Sequence, residues 1–262
     1  MAPVVLLDID GVLTVSWRPL PGAAEAMRWL HDHEVAVRLV TNTSSATRRE
    51  IARRLGDAGL PVDTDHIITA VSAAAHFLVA THPGAGCLVV NEGDLTEDLV
   101  GVEQVDAGRA GVVLLGGAGP TIGYRRLNQA FELALAGVPL VALHRNTRFQ
   151  TSDGLALDMG AFLLGLESAA GVEATVVGKP APAFFRAALD EVGTGADQAV
   201  MVGDDIDSDV LGAQASGITG VLVRTGKFRS ADLERAPGRP DHVIDDIGRL
   251  PELLDSLESP ER

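Results

Sequence analysis

The chain has 262 residues, of which 46% are hydrophobic and 22% charged, enough for one large or two modest packed domains and against wholesale disorder. Its 36 acidic and 21 basic side chains leave a formal net charge of −15, a surface that repels phosphate backbones and anionic lipid and so argues against non-specific binding to nucleic acid or membrane; neither is expected as a partner. The single cysteine, Cys87, allows neither an intrachain disulfide nor a thiolate zinc cluster. The apolar start at Val4–Leu7 is cut short by Asp8 and lacks a basic beginning and a cleavage site, so it is not a signal peptide. No apolar run approaches the roughly 20 residues that span a bilayer. The chain reads as soluble and cytoplasmic.

In chain order, short apolar runs at 4–7, 35–40, 67–69, 87–90, 112–115, 140–143, 175–177, 199–202, 220–223 and 242–244 predict strands. Amphipathic stretches at 23–31, 47–58, 124–136, 161–170, 183–192 and 210–216 predict helices between them. Strands alternating with helices of this length imply parallel sheets built from βαβ units, and Gly59, Gly137, Gly171, Gly193 and Gly217 stand where left-handed helix caps belong. The loop Gly117-Ala118-Gly119-Pro120-Thr121-Ile122-Gly123 has one residue too many for a dinucleotide-binding turn, with Ile122 where the third glycine belongs; close packing of strand, turn and helix explains it better. The histidines show no zinc-ligand pairing on one helix face.

Four polar clusters each follow a predicted strand. Asp8-Ile9-Asp10-Gly11 places two carboxylates where open α/β sheets bind ligands, and Gly11 lets the chain turn; a turn with two solvated acids fits this stretch equally well. Thr41-Asn42-Thr43-Ser44-Ser45 puts hydroxyls and free N–H groups at a helix start, as an anion site or as an N-cap with spare serines. In Gly178-Lys179-Pro180, Lys179 can neutralise phosphate and a neighbouring carboxylate; Pro180 stands where a P-loop needs Ser or Thr. Gly203-Asp204-Asp205-Ile206-Asp207-Ser208-Asp209 carries four carboxylates that repel one another unless a cation or water relieves them. Hard oxygen donors favour magnesium or calcium over zinc, and a calcium loop counted from Asp205 fails because Val210 and Ser216 occupy its glycine and glutamate positions.

In this order the four clusters resemble the motifs of the haloacid dehalogenase superfamily, over essentially the whole chain. The stretches Tyr124-Arg125-Arg126-Leu127-Asn128-Gln129-Ala130-Phe131, Asp153-Gly154-Leu155-Ala156-Leu157 and Val176-Val177-Gly178-Lys179-Pro180 are similar to the branch containing phospholysine phosphohistidine inorganic pyrophosphate phosphatase and haloacid-dehalogenase-like hydrolases. Some animal members of that branch carry serine where this chain has Asp10; here both carboxylates are present. The resemblance implies an α/β fold: a doubly wound parallel-sheet, Rossmann-like core formed by residues 1–74 and 177–262, and an inserted α/β cap at 75–176.

It also implies a magnesium-dependent phosphatase that hydrolyses a small phosphorylated metabolite through a phospho-aspartate. Asp8 would be the nucleophile and Asp10 the general acid/base, with Thr41, Asn42 and Lys179 holding the substrate phosphate. Mg2+ would be held by Asp8, the carbonyl of Asp10 and Asp204, with Asp209 behind them. Capped relatives often dimerise through the cap, so the resemblance makes a homodimer through the cap an expectation for this chain. The four motifs leave nothing to read the leaving group, so Asn146 and Arg148, at the end of the cap strand predicted at 140–143, become substrate-binding candidates; a solvated connecting loop is a near-even rival. Three other readings remain. A phospho-acceptor signalling module also combines acids, Thr and Lys on a doubly wound sheet, but is typically half this length and uncapped. A non-catalytic capped scaffold would not need Asp8, Asp10, Lys179 and Asp204 all intact, and a dehalogenase would not need the metal carboxylates.

Overall fold

The computed structural model describes residues 3–151 and 154–258. Four consecutive apolar residues open the fold as β1 (Val4–Leu7), buried along its whole length. A short hairpin follows, β2 (Thr14–Val15) and β3 (Arg18–Pro19), then α1 (Ala23–Asp32), β4 (Val37–Thr41), α2 (Arg48–Asp57) and β5 (Ile67–Thr69). The next elements are α3 (Ala70–Thr81), β6 (Cys87–Val90), β7 (Val112–Leu115), α4 (Tyr124–Leu135), β8 (Leu140–Ala142), β9 (Arg148–Thr151), β10 (Gly154–Leu157), α5 (Met159–Ala170) and β11 (Thr175–Val176). The chain closes with α6 (Pro182–Val192), β12 (Ala199–Gly203), α7 (Gly212–Gln214), β13 (Thr219–Val223), α8 (Ser230–Arg235), β14 (His242–Ile244) and α9 (Leu250–Glu258). Two units share these elements: Met1–Thr41, Arg49–Ile68 and Lys179–Arg262 form the first, Asn42–Arg48 and Thr69–Gly178 the second.

Among the described residues, the sheet of the first unit runs β14-β13-β12-β1-β4-β5. β1 pairs in parallel with β12, in the register Val4↔Ala199 to Leu7↔Val202, and with β4; β12–β13 and β13–β14 are parallel too. The chain steps outward from β1 to β4 and β5 on one side. It returns through β12 and steps outward to β13 and β14 on the other. Strand order therefore reverses between β1 and β12, and ligands of open α/β sheets bind beyond the carboxyl ends of the strands at such a reversal. Asp8 follows β1 and Asp204 follows β12.

The second unit has its own parallel sheet, β11-β8-β7-β6, and an antiparallel hairpin, β9–β10. α3 is apolar nearly all round, which removes the one-sided pattern that marks a surface helix. It packs into a cluster with Leu95, Leu99, Val112, Leu114 and Val141, and its start is fixed by a reciprocal cap between Thr69 and Ser72. Residues 42–48 belong here because side chains of this unit hold them. Asn91 Nδ2 donates to the Ser44 carbonyl at 3.0 Å. The buried Asp98 accepts the Arg48 main-chain N–H at 2.7 Å and its Nε–H at 3.3 Å.

Each strand expected from apolar runs exists, with ends shifted by at most two residues. The five glycines expected at helix caps all have positive φ. The helix expected at 210–216 instead starts at Ile206 with a π-wound stretch, Ile206–Leu211, before α7. Asp205 causes the early start, because its carboxylate accepts the N–H groups of Asp207 and Ser208 at 3.1 and 3.0 Å. Among the described residues no helix is long and apolar enough to cross a membrane.

Candidate active site

Asp8 is 4% exposed, and its N–H donates to the Val202 carbonyl at 3.0 Å, so the ladder to β12 continues one residue past β1. The chain then turns tightly. Leu13 and Thr14 donate their N–H groups to the Ile9 carbonyl, and the Gly11 N–H donates to the Thr14 carbonyl at 2.7 Å. Gly11 has φ +93°, and a Cβ there would run into the Asp204 carboxylate, so only glycine serves. Asp10, inside this turn, is exposed.

Lys179 joins the pieces. Its Nζ is 2.7 Å from Asp8 Oδ1 and 2.8 Å from Asp209 Oδ1, and it donates to the Val40 carbonyl at 3.2 Å. The side chain is 3% exposed, and the following Lys179–Pro180 peptide is cis. Thr41, the last residue of β4, is buried beside that carbonyl in sequence. Asp204 and Asp209 are also buried, and Asp8, Asp204 and Asp209 each offer a carboxylate oxygen within 4.8 Å of the others. Asp205 donates its N–H to Asp209 Oδ2 at 3.2 Å, whereas Asp207 is exposed.

Crowding three buried carboxylates has an electrostatic consequence. Burial pushes the Asp204 carboxyl up to about 8; Lys227 pulls it back, and Asp8 and Asp209 add to the rise. Burial also lifts Asp209 to about 6, against Lys179 and with Asp8 adding. For Lys179, burial pulls the ammonium down, but Asp209 and Asp8 hold it above the usual lysine range. Asp204 Oδ2 accepts the main-chain N–H of Lys227 at 2.6 Å, while Asp204 Oδ1 is buried without a hydrogen-bond partner. A bare buried carboxylate oxygen among clustered carboxylates fits a hard divalent cation with oxygen ligands.

The structure thus brings Asp8, Lys179, Asp204 and Asp209 together, all in the first unit with Asp10 and Thr41. Asn42, Asn146 and Arg148 belong to the second unit. There Asn146 is half-buried after β8, its carbonyl accepting the Gly160 N–H at 2.9 Å, and Arg148 is exposed as the first residue of β9. Their neighbour Arg145 makes two hydrogen bonds to Glu167, at 2.7 and 2.8 Å, and anchors the segment to α5. Sequence reasoning missed Thr225, Gly226 and Lys227, which touch Gly11 and Asp204. The available signal was a Thr-Gly-Lys one residue past the strand expected at 220–223.

Two family models match the chain, haloacid dehalogenase-like hydrolase over residues 5–103 and HAD-hydrolase-like over residues 176–250. Haloacid dehalogenase-like hydrolase domain-containing protein 2 of Bos taurus is 38% identical, over 93% of this chain and 95% of that one. This chain belongs to the haloacid dehalogenase-like hydrolases. Within that family it is also similar to phospholysine phosphohistidine inorganic pyrophosphate phosphatase of Rattus norvegicus, at 36% identity over 95% of this chain and 93% of that one. Among solved structures, the p-nitrophenyl phosphatase of Archaeoglobus fulgidus superposes with a TM-score of 0.90 at 32% identity, covering 96% of this chain and 99% of that chain. The doubly wound sheet with an inserted α/β unit is the architecture this hydrolase shares with that neighbour.

Proposed function

We propose that this hydrolase is a magnesium-dependent phosphatase that cleaves a small phosphorylated metabolite through a phospho-aspartate at Asp8. The observation that carries the reading is Asp8, buried at the reversal of the sheet, with Lys179 at 2.7 Å and the bare Asp204 Oδ1 in the same carboxylate cluster. The phosphatase names of its relatives support the reaction class.

A phosphate monoester repels an attacking carboxylate, so the site must supply positive charge. Lys179 supplies one charge, held by Asp8, Asp209 and the Val40 carbonyl. Asp8, Asp204 and the carbonyl of Asp10 would hold the magnesium ion, backed by Asp209. The bound ion would neutralise phosphate charge as it develops. Thr41 and Asn42, through their place in the family motif, would hold phosphate oxygens. Asp8 attacks phosphorus as the bond to the leaving oxygen breaks, and Asp10 gives that oxygen a proton. Asp10 then takes a proton from the water that hydrolyses the acyl phosphate. Its exposed position suits a group that exchanges protons with substrate and solvent. Such acid–base help is worth about 10²–10⁴-fold.

The direct test is multiple-turnover release of p-nitrophenol from p-nitrophenyl phosphate with and without magnesium. Turnover is expected with the ion and none after EDTA treatment with metal content verified as nil. Full activity in the metal-free protein would sink the reading, and a single stoichiometric phosphorylation without release would point to a signalling acceptor.

Substrate choice is assigned in this reading to Asn146 and Arg148. Replacing both with alanine should reorder the ranking of a panel of phosphorylated metabolites. Hydrolysis of p-nitrophenyl phosphate should stay within about tenfold, or about 1.4 kcal/mol, because the four motifs serve only the phosphate. An unchanged ranking would move specificity elsewhere.

A further inference from the structure

The loop that follows β13 has no place in the four motifs, yet it builds one wall of the carboxylate cluster. The Phe228 N–H donates to the Thr225 carbonyl at 3.1 Å and closes a turn. At its start, Thr225 Oγ1 donates to the Gly11 carbonyl at 2.5 Å, gripping the turn that carries Asp10. In its middle, Gly226 has φ +59°, and a Cβ there would strike Asp204 Oδ2 and the Gly11 Cα. At its end, the Lys227 N–H donates to the same Asp204 Oδ2 at 2.6 Å. Two glycine backbones and one N–H therefore enclose Oδ2, and the carboxylate cannot rotate without losing a hydrogen bond or meeting main-chain atoms. The other oxygen, Oδ1, is left buried without a hydrogen-bond partner. An unpaired buried acceptor costs about 1–3 kcal/mol, so its orientation has to be imposed.

We propose that residues 225–227 are a positioning element that locks Asp204 so that Oδ1 alone is presented to the cation. This rests on the metal-dependent reading above. The element acts through its backbone: the Lys227 N–H and the absence of a side chain at Gly226 set the geometry, and the Thr225 hydroxyl ties it to the Asp10 turn. The Lys227 ammonium works the other way. Burial pulls the Lys227 ammonium down, but the charges of Asp204, Asp8, Asp209 and Asp205 hold it above the usual lysine range. It thus competes with a dication for the same carboxylates. Backbone and side chain of one residue have opposite effects on metal binding, which makes the assignment separable by experiment.

The test is calorimetric titration of the metal-stripped full chain with MgCl2, without substrate, alongside circular dichroism of each variant. Gly226→Ala should weaken magnesium binding at least tenfold, and Thr225→Val, which keeps shape and removes the hydroxyl, at least threefold. Lys227→Met should bind at least as tightly as the wild type, because its N–H remains and the competing ammonium is gone. If Gly226→Ala does not fold, Thr225→Val decides. Wild-type affinity in the folded Gly226→Ala and Thr225→Val variants would overturn the positioning role, and a tenfold loss in Lys227→Met would overturn the backbone assignment. No magnesium binding by the wild type would remove the metal-dependent reading and this element's role with it, an outcome distinct from normal binding by wild type and variants alike.

Discussion

Asp8→Asn is expected to abolish turnover of p-nitrophenyl phosphate while the protein stays folded. Asparagine matches the shape of aspartate, and its amide oxygen can still accept the Lys179 ammonium now 2.7 Å from Asp8 Oδ1. What is lost is the nucleophile. The amide cannot form the acyl phosphate. A drop of at least 10⁴-fold in kcat, or about 5 kcal/mol, is the expected scale for removing a group on which the covalent step depends. Acid-quenched wild-type protein supplied with an activated ester should carry a hydroxylamine-sensitive phosphoryl group, and the variant none. A rate within tenfold of wild type in Asp8→Asn would eliminate the covalent route, whatever the metal does.

How much of this was legible in the sequence follows from the length scale of each signal. The strands were legible because a buried parallel strand reads as a continuous apolar run: Val4–Leu7, Cys87–Val90 and Val112–Leu115 lie where the runs put them. α3 was not, because apolar residues stand on its exposed side too, at Val79 and Ala80, which hides the period that distinguishes a helix from other apolar segments. The β9–β10 hairpin escaped because Arg148 opens a strand in a segment read as polar loop. Asp8, Lys179, Asp204 and Asp209, which the structure gathers into one cluster, were legible because each stands beside an element expected from the sequence and carries chemistry by its residue type. The loop at 225–227 was missed for the opposite reason. Its contribution is made by a main-chain N–H, a missing Cβ and one hydroxyl, none of which is distinctive in sequence. Sequence names the charged groups of a site; the backbone that aims them becomes visible only in three dimensions.

Lys179→Met should be the most destabilising of the single substitutions in the carboxylate cluster, and its cost should grow with pH. Lys179 is buried between Asp8 and Asp209, and removing one member of a buried ion pair leaves the other charge uncompensated, at about 3–5 kcal/mol. A loss of that size lowers Tm by on the order of 10 °C for a chain of this length. The pH dependence follows from the two neighbouring carboxyls. Burial holds Asp204 at about 8 and Asp209 at about 6, both above the ordinary value of 3.8. A carboxyl raised in the folded state binds its proton more tightly there than in the unfolded chain. Its stabilising contribution is complete below pH 3.8 and is lost as pH rises through the folded value. Metal-free wild-type protein should therefore lose stability from about pH 4 to about pH 8. The variant should lose it more steeply, because the Lys179 charge that restrains Asp209 is gone. Magnesium should flatten both curves by replacing protons with a cation. The check is a Tm series from pH 5 to 8.5, with EDTA and with magnesium, on both proteins. Parallel curves for the two metal-free proteins would mean that Lys179 does not serve as the counter-ion of this cluster.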